Sequence, residues 1–182
     1  DRDDSLLLEQ IRTKLLPRRG LWVDEDQILV TVGAQNALYT SLRLMLDEKS
    51  IFGIEEPGYP DVRNIALAFT KNVQPLLVDN HGVTLSSALK GCDGIYLTPS
   101  HQSPTTVTLN EERRKEILEL AEEHDFLIIE DDYEAETNFN HKPLPALMSD
   151  DKYGRVIYVG SLSKTLAPGL RLGYLVGPKA FI

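Results

Sequence analysis

The stretch Gln27-Ile28-Leu29-Val30-Thr31-Val32-Gly33-Ala34-Gln35, with its continuation to Met45, decides the fold. Gln27 to Thr31 is rich in β-branched and apolar residues and reads as a strand, and Gly33 permits a tight turn. Beyond the turn, Ala34, Ala37, Leu38, Ser41, Leu42 and Met45 recur at the spacing of one helix face. Strand, turn and helix in that order form the repeating unit of an α/β domain, and the pattern continues downstream. Ser50 to Ile54 reads as a strand, Val62, Ile65, Ala66 and Phe69 as a helix face, and Val73 to Val78 as the next strand. A short helix near Ser86 to Leu89 leads into a strand over Gly94 to Thr98. Thr108 and Glu111 have capping-box spacing ahead of a helix carrying Ile117, Leu120 and Ala121, which runs into a strand over Phe126 to Glu130. The last two strands are expected at Val156 to Val159 and Leu172 to Val176. Upstream, Leu8, Ile11 and Leu15 mark a helix expected to stop before Pro17. Several strands are apolar on both faces, so the expected fold class is α/β, with a mostly parallel sheet flanked by helices.

Composition sets outer bounds. The 182 residues hold 19 Lys+Arg against 28 Asp+Glu, a net charge of −9, with 42% hydrophobic residues, enough for a buried core. An acidic chain lacks the basic face that gripping a phosphate backbone requires, so this segment is not expected to bind nucleic acid by itself. A single cysteine, Cys92, cannot form an internal disulfide, which points to a reducing compartment. Apolar runs such as Phe126-Leu127-Ile128-Ile129 are far short of a membrane span, and Asp1-Arg2-Asp3-Asp4 resembles no signal peptide. The expectation is a soluble cytoplasmic domain with no membrane partner.

In open α/β sheets, ligands bind beyond the carboxyl ends of the strands, so the residues just after each strand are the ones to read for chemistry. Five such ends carry candidate groups. Gly33-Ala34-Gln35 opens a helix, where unpaired N–H groups and the helix dipole favour an anion. Tyr59, between Gly58 and Pro60, offers a ring that can stack on a flat ligand or cover the core. His101 lies in the loop Pro99 to Thr105. Glu130-Asp131-Asp132-Tyr133 closes a strand; its carboxylates suit a protonated ring nitrogen, a divalent metal or a solvated helix start, and no HxxxH or CxxC spacing supports the metal. Ser161-Leu162-Ser163-Lys164 carries a lysine directly after a strand: solvated, it is an ordinary surface lysine, and partly desolvated it has the lowered pKa that favours a Schiff base with an aldehyde. Arg171, seven residues on, supplies a planar fork for phosphate oxygens, with the hydroxyls of Ser161 and Ser163 beside it.

These residues fall within longer motifs: Arg18-Arg19-Gly20 onward to Ile28, Thr31-x-Gly33-Ala34-Gln35-x-Ala37-Leu38, Glu56-Pro57-Gly58-Tyr59-Pro60, Thr98-Pro99-Ser100-His101-Gln102-x-Pro104-Thr105, Glu130-Asp131-Asp132-Tyr133-x-x-Glu136, and Gly160-Ser161-x-Ser163-Lys164-Thr165-Leu166-x-Pro168-Gly169-Leu170-Arg171-Leu172-Gly173-Tyr174. In order and spacing they resemble the fold-type-I, class I/II aminotransferases that depend on pyridoxal 5'-phosphate. Within that family the wording is most similar to the aminotransferase-like domain of MocR-type members of the GntR transcriptional regulators, although aminoadipate and aromatic aminotransferases share most of the motifs. The resemblance implies the large domain of an aspartate aminotransferase-like fold and roles residue by residue. Lys164 would hold the cofactor covalently, Asp131 would pair with its pyridine nitrogen, and Tyr133 would bond its ring oxygen, these three being the catalytic residues. Tyr59 would stack on the ring, and Gly33, Ala34, Gln35, Ser161, Ser163 and Arg171 would hold the phosphate. The family pattern Asn-Pro-Thr-Gly appears here as Ser103-Pro104-Thr105-Thr106, so Ser103 takes the place of the Asn beside the cofactor and Thr106 that of the Gly. No metal is implied.

The resemblance also implies a longer parent. Residues 1–182 would be its cofactor-binding domain, preceded by a helix-turn-helix that carries the DNA contact and followed by a small domain with the arginine that clamps a substrate carboxylate. The expected function is sensing of a small amino compound within a homodimeric transcription regulator. The alternative is a free-standing aminotransferase moving an amino group to a 2-oxo acid, with turnover expected of the parent rather than of this segment.

Overall fold

A computed structural model describes residues 3–133, 144–162, 169 and 171–182. The chain opens with helix α1 (Ser5–Gln10), capped by Asp4, whose side chain accepts the Leu7 N–H at 2.9 Å. It does not stop before Pro17. It passes into a π-turn over Ile11–Leu15 and a 3-10 turn over Leu16–Arg19, and ends at Gly20, where φ is 73°. Pro17 sits at the start of that 3-10 turn, where a missing N–H costs no hydrogen bond.

Strands β1 (Ile28–Thr31), β2 (Ile51–Glu56), β3 (Asn72–Asp79), β4 (Gly82–Val83), β5 (Gly94–Leu97), β6 (Leu127–Asp132), β7 (Val156–Ser161) and β8 (Gly173–Val176) form one sheet in the order β1-β8-β7-β6-β5-β2-β3-β4. The central run from β7 to β3 is parallel throughout. β8 is antiparallel to both β7 and β1, and β4 is antiparallel to β3. The mostly parallel, helix-flanked sheet expected from the sequence is therefore the one observed. Because two reversals restore direction, β1 runs the same way as β7. The turn after β1 thus reaches the same sheet edge as the ends of β5, β6 and β7.

Helices α2 (Gly33–Met45) and α3 (Pro60–Leu67) cover one face of the sheet. Ala37, Leu38 and Leu42 of α2, with Val62 and Ala66 of α3, pack on Phe52, Ile54, Ile129, Ile157 and Val159. Helix α4 (Glu111–Glu123) covers part of the other face, burying Ile117, Leu118 and Ala121 against Ile95, Ile128 and Val156. Strand residues alternate between these two cores: Ile128 belongs to one and Ile129 to the other. A third core joins Ile11 and Leu16 to Ile28, Tyr158 and Tyr174. The cap of α4 differs from the expected Thr108. Asn110, directly before the first turn, accepts the Arg113 N–H at 2.9 Å, while the Thr108 hydroxyl donates to the Ser100 carbonyl at 3.2 Å. An amide oxygen at the residue preceding the helix reaches the third helical N–H, and a side chain two residues earlier cannot. Among the described residues no helix is long and apolar enough to cross a membrane.

Candidate functional site

The carboxyl ends of β1, β5, β6 and β7 surround a cavity of about 370 Å³, within the range of small-molecule sites. One end is built around the turn between β1 and α2. Gly33 has φ 77°, and its N-cap residue Val32 makes no side-chain capping bond. The first turn of this 13-residue helix, whose N–H groups have no partner within the helix, lines the cavity through Gly33, Ala34 and Gln35. Arg171, itself left-handed at φ 48°, brings its guanidinium beside the turn; a Cβ placed on Gly33 would lie 3.8 Å from both Nε and Nη2. Gly173 backs the turn so closely that a Cβ there would stand 2.6 Å from the Gly33 carbonyl carbon. Ser161, at the end of β7, lines the same end. Helix N–H groups, a guanidinium and a hydroxyl around one bare turn are an anion cradle.

The other end is acidic and aromatic. Asp131 on β6 is 5% exposed and accepts a 2.7 Å hydrogen bond from the Tyr96 hydroxyl of β5. Tyr133, after β6, lines the cavity and meets His101 edge to face with ring centroids 6.1 Å apart. Ser103 lines it from the loop after β5, and Leu38 from α2. Tyr59 forms a wall. Its hydroxyl donates to Asp61 Oδ2 at 2.8 Å, and Gln35 Nε2 donates to the same oxygen at 2.7 Å. The Gln35 side chain is thus engaged with Asp61 and Tyr59, and what Gln35 presents to an anion is its backbone N–H. Burial, with Asp61 adding to it, raises the Tyr59 phenol above its ordinary pKa.

The three consecutive acids of β6 have separate surroundings, because neighbouring strand residues face opposite ways. Asp131 points into the cavity. Glu130, on the opposite face, accepts the N–H groups of Leu147 and Met148 at 2.7 and 2.9 Å, and burial, reinforced by Asp132, pushes it up to about 7. Asp132 pairs with the buried Arg19 at 2.6 Å and accepts the Tyr158 hydroxyl at 2.7 Å. Arg19 also donates to Ser100 Oγ at 2.6 Å and to the Leu144 carbonyl. Among the described residues no group of three or more His, Cys, Asp or Glu side chains is placed to hold a metal.

Nine of the expected site residues line this one cavity: Gly33, Ala34, Gln35, Tyr59, Ser103, Asp131, Tyr133, Ser161 and Arg171. Lys164 and Ser163 lie outside the described residues. Sequence reasoning missed Tyr96 and Glu55. Tyr96 lies in the apolar run Gly94-Ile95-Tyr96-Leu97, where a buried phenol must find an acceptor, and that requirement was the available signal. Glu55 ends a buried run on β2 and is 2% exposed; it accepts the Thr98 N–H at 3.0 Å and the Thr98 hydroxyl at 2.6 Å. Burial pushes its carboxyl up to about 7 against these bonds. Gln102 anchors the same loop, donating to the Pro57 and Ser103 carbonyls at 2.8 Å each and accepting from Thr105. Thr106 closes this loop at φ 64°, a conformation that suits glycine.

Residues 6–182 match the family described as Aminotransferase class I and II. The chain is 43% identical over 182 residues to the HTH-type transcriptional regulator TauR of Rhodobacter capsulatus, covering all of this chain and 38% of that protein. It is 39% identical over 161 residues to the probable rhizopine catabolism regulatory protein MocR of Rhizobium meliloti, covering 88% of this chain and 33% of that one. Among solved structures it resembles the Pyrococcus horikoshii kynurenine aminotransferase, with a TM-score of 0.83 at 32% identity over 96% of this chain and 45% of the other. The chain spans less than half the length of each of these relatives. An anion cradle facing a buried carboxylate across one cavity, and a family match over nearly the whole length, agree: this chain belongs to the aminotransferase class I and II family, whose cofactor is pyridoxal 5'-phosphate.

Proposed function

We propose that this chain is the pyridoxal-phosphate-binding domain of a longer GntR/MocR-type transcription regulator that senses a small amino compound. The observation that carries the cofactor half of this reading is the pairing of an anion cradle at Gly33 and Arg171 with the buried carboxylate of Asp131 at the other end of one cavity. When bound, pyridoxal phosphate supplies an aldehyde that an amine can join and a ring that draws electrons from the neighbouring carbon. The protein's part is to hold and polarise. The first-turn N–H groups of α2, Ser161, Ser163 and the Arg171 fork bind the phosphate. Asp131 would face the ring nitrogen and keep a proton there, Tyr133 would donate to the ring oxygen, and Ser103 and the Tyr59 ring would fix the plane. Lys164 provides the amine, with Lys164, Asp131 and Tyr133 as the catalytic group.

The regulator half is supported by TauR and MocR, both named as regulators, at 43% and 39% identity. In this reading residues 1–182 form the large domain of a cytoplasmic homodimer, and DNA is contacted by a helix-turn-helix domain outside this sequence. The second reading, a free-standing aminotransferase, has the 32% identity to the Pyrococcus enzyme in its favour. Titration of the full-length protein with pyridoxal phosphate should give a saturable visible absorbance band competed by inorganic phosphate; absence of saturable uptake would refute the cofactor reading. A change in DNA affinity on adding amino acids, without release of 2-oxo acid, would separate regulator from transaminase, and multiple turnovers with no DNA binding would reverse that choice.

A further inference from the structure

Asp131 is held by more than its own strand. Tyr96, on the neighbouring parallel strand, stands opposite Ile129 in register, two residues behind Asp131 and on the same face of the sheet. From that position only a long side chain reaches forward to the carboxylate, and the phenol does so at 2.7 Å. Tyr96 is 1% exposed in a strand buried at all four positions. Phenylalanine would pack there as well, so the hydroxyl is what distinguishes the residue. Both side chains line the cavity.

The surroundings make this contact matter. Among the described residues, the groups facing the pair are Glu55 from β2, Tyr59 directly before α3, Tyr133 after β6 and Arg171 before β8. Burial first, and then Asp131 and Glu55, raise the Tyr96 phenol well above its ordinary pKa, so it remains a proton donor at neutral pH. A buried carboxylate close to a second buried acid tends to keep its proton, and a donor aimed at its charged form opposes that tendency.

Building on the pyridoxal phosphate reading of the cavity, we propose that Tyr96 is a positioning residue whose hydroxyl keeps Asp131 ionised and turned into the cavity, ready to receive the N–H of a protonated ring nitrogen. A protonated Asp131 is no counter-ion for such a ring. The hydroxyl therefore acts on the cofactor through the carboxylate and touches neither phosphate nor substrate.

The test is a carbon-13 NMR titration of the aspartate carboxyls in the cofactor-free protein, with the Asp131 signal assigned by its loss in Asp131→Asn. In Tyr96→Phe, which keeps the ring, the Asp131 midpoint should rise by about one pH unit, a tenfold change in its proton affinity. Replacement of Tyr96 by 3-fluorotyrosine, a stronger donor of almost the same shape, should move the midpoint the other way. On the acid side, the pH at which affinity for pyridoxal phosphate falls off should move up with the carboxyl in the Phe variant relative to wild type. A midpoint unmoved by either replacement would overturn the proposal, because a packing role predicts no shift. If the Phe variant does not fold, the fluorotyrosine protein decides: no downward shift would overturn the proposal. Failure of the wild-type protein to take up pyridoxal phosphate would instead overturn the cofactor reading, a result distinct from an unmoved midpoint in a protein that binds it.

Discussion

Glu55 offers a quantitative check on the buried polar network behind the cavity. Its carboxyl stands at about 7 in the folded chain against 4.5 in the open one, chiefly because burial penalises the charge. Below 4.5 both states hold the proton. Between 4.5 and about 7 only the unfolded chain gives it up, so stability falls as pH rises, and above about 7 the loss is complete. At about 1.4 kcal/mol per pH unit the whole loss is about 3 kcal/mol, of which about 2.5 kcal/mol falls between pH 5 and pH 8. Glu130, also raised to about 7, adds a parallel slope, whereas Asp79, held near 2 chiefly by its hydrogen bonds from Arg113, titrates below this window. Urea unfolding of wild type and Glu55→Gln at pH 5, 6, 7 and 8 isolates the Glu55 part, because other groups cancel in the difference. The variant should lose about 2.5 kcal/mol less than wild type across that range. Parallel curves for the two proteins would mean that Glu55 is already ionised at pH 5, and the reasoning would fail.

Three further outcomes follow from the geometry. Asp131→Asn should weaken pyridoxal phosphate binding while leaving urea stability nearly unchanged. Asp132→Asn should do the reverse, costing roughly 3 kcal/mol because Arg19 is left buried without its counter-charge; equal effects on cofactor binding would contradict the alternation on β6. Thr106→Gly should stabilise by about 0.5–1 kcal/mol, the relief of a left-handed β-branched residue less the extra chain entropy of glycine; a lower urea midpoint would count against it. Gly173→Ala should destabilise by roughly 1–3 kcal/mol and weaken phosphate binding, since the new methyl group meets the backbone of the Gly33 turn. An unchanged affinity for inorganic phosphate would show that this turn is not the anion site.

Much of the cavity was legible because its residues sit where strands end, and strand ends follow from local periodicity. Gly33, Asp131 and Ser161 fall at such ends, and alternation along β6 separates Asp131 from its two acidic neighbours. Thr106 was legible as a residue standing where glycine is favoured, and the chain adopts the left-handed turn there all the same. Contacts across the fold were not legible. Arg19 and Asp132 are 113 residues apart, and no local pattern pairs them. Tyr96 reads as part of an apolar run, and Glu55 as the residue just past one, until neighbouring strands supply their partners. Strand direction was equally hidden: β8 has the composition of the parallel strands, and only its pairing shows that it reverses. The cap of α4 was read as Thr108 from its capping-box spacing with Glu111, whereas Asn110, directly before the first turn, makes the capping bond.

The central claim is that this cavity holds pyridoxal phosphate against Asp131 and Arg171 with Lys164 as its covalent partner. The most direct measurement is borohydride reduction of the cofactor-loaded full-length protein followed by peptide mapping. The account predicts a single stable phosphopyridoxyl label on the peptide containing Lys164, lost in Lys164→Ala and reduced in Arg171→Ala. A label recovered on Lys142 or Lys152, or no specific label at saturating cofactor, would contradict it.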